Sequence, residues 1–290
     1  MGELFRGFQD HRLPGDGVTL SALIAGSGPP LVLLHGFPQT RTCWHAVAPQ
    51  LTDRFTVFCP DLRGYGRSDK PPGDPAHQTY SKRQMARDIV AMMAALGHKQ
   101  FALAGHDRGG RVGYRLALDH PGVVTRLFLL DILPTAEMWR QMDAGRAHGS
   151  YHWLWLAQPA PLPETLLAGA PAAFLDHTLR TWAGPGFAFD PAALADYHAC
   201  FADPAALHAQ CEDYRAGFTT DRTDDEADRG VRRITCPTSL LCGAHYGVAR
   251  RNLLAIWQDW AEMVDCHVLP TGHFLAEEAP EAVAEWLGKK

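Results

Sequence analysis

The stretch Phe101-Ala-Leu-Ala104-Gly105-His106-Asp107-Arg108-Gly109-Gly110 decides the reading of this chain. A short apolar run, as expected of a buried strand, ends in a glycine, and two more glycines open a segment, 112–118, with helical character. The pattern glycine, any residue, nucleophile, any residue, glycine is the strained turn that lifts a side chain above the carboxyl edge of a sheet. Its glycines let strand and helix approach closely. Asp107 stands at the centre. The same Asp could instead cap the helix, a position Asp favours, and the turn alone does not choose.

Outward from this turn, short apolar runs alternate with longer amphipathic ones. Upstream, Leu31-Val-Leu-Leu34 ends in His35-Gly36 and Phe55-Thr-Val-Phe-Cys59 ends in Pro60-Asp61; each reads as a buried strand followed by a turn. Residues 81–96 place Met85, Ile89, Met92, Met93 and Leu96 at helical spacing before Gly97. Downstream, Arg126-Leu-Phe-Leu-Leu130 reads as a strand ending at Asp131. Such alternation implies right-handed crossovers and a mostly parallel sheet covered on both faces.

Between Leu133 and Arg229 the strand rhythm stops. Trp, His, Ala and Pro dominate, with helical pieces expected around 136–148, 163–182 and 191–217. The alternation returns with Thr238-Ser-Leu-Leu-Cys242, a helical 250–263, Cys266-His-Val-Leu269 and a last helix over 280–287. We therefore expect a core of residues 1–132 and 230–290 interrupted by a helical cap over 133–229. No internal repeat or low-complexity segment is visible.

The 290 residues suit one large domain, or a core carrying an insertion, and 46% hydrophobic with 20% charged residues is ordinary globular composition. Lys+Arg 27 against Asp+Glu 32 gives a net charge of −5, and basic pairs such as Arg232-Arg233 are too short for a nucleic-acid footprint. That charge also means a small anion is attracted only locally. No apolar run reaches the ~20 residues that span a bilayer, and the start, Met1-Gly-Glu-Leu-Phe-Arg-Gly, has no long apolar stretch. The cysteines (43, 59, 200, 211, 236, 242, 266) are odd in number, scattered and without a C-x-x-C pair. A reduced, cytoplasmic setting is expected.

Three further motifs follow apolar runs: His35-Gly36-Phe37-Pro38, Asp61-Leu-Arg-Gly-Tyr-Gly-Arg-Ser-Asp69 and Gly272-His273-Phe274. With the turn at Asp107 they resemble the α/β-hydrolase fold over nearly the whole chain. The resemblance implies a mostly parallel eight-stranded sheet flanked by helices, with a helical cap inserted after the strand ending near Asp131. Asp at the turn, where esterases carry Ser, is similar to the dehalogenase and epoxide-hydrolase branch, and the order of the chain then makes His273 the base. Many members carry the third, acidic residue after the penultimate strand, but Leu241-Cys-Gly-Ala-His245 offers His245 there. Asp131 sits at the branch's other location, with Asp265 the alternative; Asp131 could also merely cap a strand end.

Arg108 stands where haloalkane dehalogenases and epoxide hydrolases typically have Trp. Arg111 is three residues on, on one helix face with it. A guanidinium grips a carboxylate through two parallel hydrogen bonds and a helix N-terminus favours negative charge, so a small carboxylate is the expected substrate; a surface ion pair is the alternative for Arg111. The cap contributes Tyr151-His152-Trp153-Leu154-Trp155 and, further on, Tyr214. Imidazole, indole and phenol are donors suited to a departing halide.

Asp-Arg-Gly-Gly-Arg together with Tyr-His-Trp resembles the fluoroacetate (haloacetate) dehalogenase family. That resemblance implies Asp107 as nucleophile, His273 as base and Asp131 as acid. It puts a carboxylate clamp at Arg108 and Arg111, halide donors at His152, Trp153 and Tyr214, and oxyanion donors at the backbone N–H groups of Phe37 and Arg108. It implies no cofactor and a small haloacid as the partner; a homodimer is compatible with the apolar cap.

Other readings stand beside it. Trp153 and Trp155 could be core. His148 and His152, four apart, lack a third ligand at a sensible spacing, so no metal is expected. Epoxide opening usually needs two cap tyrosines, and Tyr214 has no evident second. Haloalkane dehalogenation conflicts with an unpaired Arg108. A non-catalytic small-acid receptor is the remaining alternative.

Overall fold

A computed structural model of the chain describes residues 4–289. The core is an eight-stranded sheet in the order β1-β2-β4-β3-β5-β6-β7-β8. The expected runs form β3 (Pro30–Leu34), β4 (Thr56–Pro60), β5 (Phe101–His106), β6 (Val124–Leu130), β7 (Thr238–Gly243) and β8 (Val264–Leu269), all mutually parallel. Leu31 to Leu34 and every residue of β7 are buried. Such strands read as continuous apolar runs because helices cover both faces.

Two strands that no apolar run announces complete the sheet. β1 (Gln9–Pro14) and β2 (Thr19–Gly26) form an antiparallel hairpin, and β2 runs antiparallel to β4. β1 is the outer strand and largely exposed, so it carries polar residues.

Helix α1 (Lys82–Ala95) begins at Ser81, whose side chain accepts from the N–H of Gln84, and buries Met85, Ile89, Met92 and Met93. Helix α2 (Asp107–Asp119) packs behind β5 and β6. Between β6 and β7 the described residues form eight helices and no strand of the sheet. Two expected helices are each split by a proline. The stretch 163–182 divides into Leu162–Gly169 and Pro171–Trp182, and 191–217 into Pro191–Phe201 and Pro204–Phe218. Proline lacks an N–H and is best placed at the first helical position, so each of these prolines restarts a helix. The expected helix over 250–263 shrinks to Leu253–Gln258, opened by the Asn252 side chain, leaving 250–251 in a loop.

β3, β5 and β6 are neighbours, with Leu34 opposite Gly105 and His106 opposite Leu130. Their carboxyl ends therefore lie side by side, where ligands of open α/β sheets bind. Among the described residues no helix is long and apolar enough to cross a membrane.

Candidate active site

β5 passes into α2 without a loop because the backbone turns through φ +45° at Asp107. A non-glycine residue held there costs of order 1–3 kcal/mol, so surrounding packing must hold it. A Cβ on Gly105 would come within 2.4 Å of the Gly109 carbonyl oxygen, and one on Gly109 within 2.5 Å of that of His35. Only glycine permits this approach. Asp107 is not the cap of α2: His106 takes that position, with no side-chain bond to the helix. Instead the N–H of Phe37 donates to Asp107 Oδ1 at 2.9 Å.

Asp131 follows β6 directly and is the second acid with positive φ, +53°. Its Oδ2 lies 2.5 Å from Nδ1 of His273, and its Oδ1 accepts the N–H of Gly243 at 3.2 Å. Burial raises the Asp131 pKa, opposed by the His273 contact. Nδ1 is thus engaged, while the buried Nε2 of His273 has no hydrogen-bond partner. The alternative acid, Asp265, is exposed and accepts from Ser239 Oγ at 2.6 Å, so it is not the partner of His273. The His273 loop is tied down twice: its N–H donates to the Trp182 carbonyl at 2.8 Å, and Glu278 accepts the N–H groups of Gly272 (2.6 Å) and Phe274 (2.9 Å).

Both arginines are buried. Arg108 has no hydrogen-bond partner for any of its three guanidinium nitrogens. Its guanidinium carbon sits 3.6 Å from the ring centre of Tyr214 and 4.8 Å from that of Trp153. It pairs with Asp213 at 3.7 Å, and Asp213 is itself bonded by the Tyr65 hydroxyl at 2.7 Å and by Lys82. Arg111 is no surface ion pair: its Nη1 donates to the Leu133 carbonyl at 2.6 Å, its Nε lacks a partner, and its guanidinium lies 4.5 Å from the Trp153 ring centre. A buried orphan donor costs ~1–3 kcal/mol, more when charged, a deficit that a bound anion would offset. Burial alone would raise the pKa of Asp107. The charges of His273, Arg108 and Arg111 outweigh it and hold the carboxyl well below the usual carboxylate range.

A cavity of about 420 Å³ is lined by Asp107, Arg111, Asp131, His152, Trp153 and His273, among others. Arg108 and Tyr214 stand outside that lining, packed against Trp153. His152 is buried, its Nδ1 has no partner, and burial pushes its pKa down to about 3, so it is neutral at neutral pH. Its ring lies 4.5 Å from Trp182 and 5.8 Å from Tyr214.

A model of the alpha/beta hydrolase fold matches residues 29–280. The chain belongs to that family. A fluoroacetate dehalogenase from Burkholderia sp is 42% identical over 98% of this chain and 94% of its own length. A soluble epoxide hydrolase from Corynebacterium sp. (strain C12) is 30% identical over 95% of this chain and 94% of its own. Among solved structures, a protein from Nostoc sp PCC 7120, provisionally described as an alpha/beta hydrolase, superposes with TM-score 0.94 at 47% identity, covering 97% of this chain and 96% of that one. The resemblance to the fluoroacetate dehalogenases read from the residues is thus matched by overall sequence.

Several residues of this hydrolase's site escaped the sequence reading. Trp182 closes the helix Pro171–Trp182 and places its ring 5.3 Å from His273 and 6.1 Å from Phe37. Tyr246 lines the cavity with its ring 4.4 Å from His273. It follows the turn after β7, where an aromatic three residues past Gly243 is the available signal. Asp213 next to Tyr214 is the buried counter-charge of Arg108; an acid beside the aromatic would have flagged it.

Proposed function

We propose that this protein hydrolyses the carbon–halogen bond of a small 2-haloacid, such as fluoroacetate or chloroacetate, to the 2-hydroxyacid and halide. The observation that carries the reading is the pair of buried arginines on the first turns of α2, beside an ionised Asp107. Arg108 keeps all three guanidinium nitrogens without hydrogen-bond partners. A planar fork of donors beside a carboxylate nucleophile suits a substrate that is itself a carboxylate. The identity to the Burkholderia dehalogenase supports it.

Phe37 N–H holds Asp107 Oδ1, so Oδ2 is the attacking oxygen. It displaces the halogen in line: the Oδ2–carbon bond forms as the carbon–halogen electron pair leaves with the halide. His152, Trp153 and Tyr214 donate to the departing ion; a neutral His152 has one N–H to give. Preorganised donors matter most for fluoride, whose charge is most concentrated. The unpartnered Nε2 of His273 then takes a proton from water, whose oxygen attacks Cγ of the Asp107 ester. The backbone N–H groups of Phe37 and Arg108 stabilise the charge on Oδ1. The Cγ–Oδ2 bond breaks, His273 returns the proton to the hydroxyacid oxygen, and Asp131 orients the imidazole throughout.

A second reading, epoxide hydrolysis, gains one observation. Tyr246 lines the cavity and lies close enough to Tyr214, outside that lining, for the two phenols to influence each other, and burial keeps both protonated. The 30% relative points the same way.

The deciding experiment measures halide release from fluoroacetate and chloroacetate and diol formation from a small epoxide, with Asp107→Asn as control. Release from both acids with an inert epoxide supports the dehalogenase; turnover of the epoxide alone overturns it. In heavy-oxygen water a single turnover places the label in Asp107, and label found directly in glycolate refutes the covalent route.

A further inference from the structure

The cavity is larger than the proposed haloacetate requires. At ~30 Å³ per heavy atom at liquid density, a five-heavy-atom haloacetate occupies on the order of 150 Å³ or less. The cavity holds about 420 Å³.

The rest of its wall carries a cluster of charges among uncharged residues such as Met138, Ser150 and Val248. Asp143 and Arg146 come from the start of the cap, and Arg250 and Arg251 from the loop after β7. Three arginines thus face one aspartate. Two of them are tied to the same residue: Arg146 donates to the backbone carbonyl of Gln141, and Arg251 Nη1 donates to its side-chain Oε1 at 2.9 Å. Asp143 pairs with Arg146 at 3.7 Å, and its Oδ1 also accepts the N–H of Arg146 at 2.9 Å. Two guanidinium groups are therefore held together on a cavity wall against their mutual repulsion. Burial and, after it, the charge of Arg146 lower the pKa of Arg251. A simple electropositive rim needs no such tie. A site that grips a second anion does.

We propose that Arg146 and Arg251, gathered by Gln141, form a second carboxylate subsite in this cavity, and that the haloacids taken include 2-halo dicarboxylic acids. This rests on the dehalogenase reading for the reacting end, where Arg111, on the cavity wall, with Arg108 packed against Trp153 beside it, holds the first carboxylate. The second carboxylate reaches Arg146 and Arg251 in the same cavity.

Two measurements test it. Calorimetry compares the wild-type protein's affinity for succinate, glutarate and adipate with that for the monocarboxylic acids of equal chain length, and needs no turnover. The expected result is one diacid bound at least about tenfold more tightly than its matched monoacid. No diacid preferred at any length overturns the subsite. Kinetics then compare chloroacetate with the 2-chloro derivative of the preferred diacid in Arg146→Gln, Arg251→Gln and Gln141→Leu. The expected result is a fall of about tenfold or more in kcat/KM for the chlorodiacid in each, with chloroacetate within about twofold. Gln141→Leu keeps both charges and removes only the side-chain tie to Arg251, so it separates a built site from bulk attraction. An equal fall on both substrates shows long-range attraction alone and overturns the proposal. The two readings fail separately. Inert chloroacetate and inert chlorodiacid with a clear diacid binding preference sink dehalogenation and keep the subsite; active chloroacetate with no diacid preference does the reverse. Variants that do not fold leave the wild-type calorimetry to decide.

Discussion

The guanidinium carbon of Arg108 lies 3.6 Å from the ring centre of Tyr214. This contact joins the proposed carboxylate clamp to the proposed halide donors, since Tyr214 belongs to the second group and supports the first. The two roles separate by substitution. Tyr214→Phe keeps the ring and removes the hydroxyl; it is expected to lower kcat, more for fluoroacetate than for bromoacetate, with KM little changed. Tyr214→Leu also removes the platform under Arg108. A desolvated cation–ring contact is worth ~0.5–2 kcal/mol, so KM should rise roughly 2- to 30-fold in addition. Steady-state kinetics on both haloacids check this; equal kcat losses for the two halogens would remove Tyr214 from the halide site.

In the proposed second step Asp131 and His273 act as one unit. Asp131→Asn keeps an oxygen for the Gly243 N–H but no longer favours the orientation and protonation that His273 needs. By analogy with serine-protease triads, ester hydrolysis should slow by roughly 10⁴-fold. His273→Gln should stop the reaction after alkylation, leaving one carboxymethyl ester on Asp107. Mass spectrometry of the peptide carrying Asp107 after exposure to chloroacetate detects it, and an unmodified peptide with one equivalent of halide released would place the attack elsewhere.

Much of this site was legible because the chemistry sits at punctuation marks. Asp107, Asp131 and Phe37 each stand just past an apolar run, where a buried strand must end. The glycines two residues either side of Asp107 announced the close approach: a Cβ on Gly105 would lie 2.4 Å from the Gly109 carbonyl oxygen. The β1–β2 hairpin was not legible, since outer strands keep polar residues, and helices read as continuous were broken at Pro171 and Pro204, whose missing N–H groups suit a first turn. Least legible were contacts between distant segments. Nothing local tells that Trp182 would meet His273, or that Gln141 would hold Arg251 across 110 residues.

Gly36 precedes Phe37, whose N–H holds the nucleophile. A Cβ there would lie 2.4 Å from Cβ of Asp107 and 2.9 Å from the His106 carbonyl oxygen. Gly36→Ala must therefore displace Asp107 or its neighbours. Overpacking costs ~1–3 kcal/mol, whereas a displacement of about 1 Å at a reacting atom can cost ~10²-fold in rate. The expected variant folds, melts a few degrees lower and loses about two orders of magnitude in kcat. Thermal melts and halide release on the same sample test this, and full activity would show that Asp107 tolerates a shifted position.

His152 also carries a prediction that does not depend on catalysis. Burial pushes it and His106 down to about 3 from 6.5, so both are neutral in the folded protein near pH 5. The unfolded chain binds protons at these positions below about pH 6.5 while the folded chain does not. At these two positions the unfolded state therefore gains protons first, and their contribution to stability falls as pH drops from about 6.5 toward 3, while buried Glu277 and Asp225, raised to about 8 and 7, act oppositely as they take up protons. Each histidine contributes a slope of roughly 1.4 kcal/mol per pH unit across that window. The lowered pKa of Asp107 acts in the same direction only at more acid pH, below its ordinary range. Urea unfolding at pH 7, 6 and 5 measures the slope. In His152→Phe the share of the slope due to His152 should vanish, so that the variant's stability relative to the wild type rises by roughly 1.4 kcal/mol per pH unit as pH falls below about 6.5. An unchanged slope would mean that His152 takes up its proton in the folded state as readily as in the unfolded chain, so that below about pH 6.5 it would offer a halide two N–H donors instead of one.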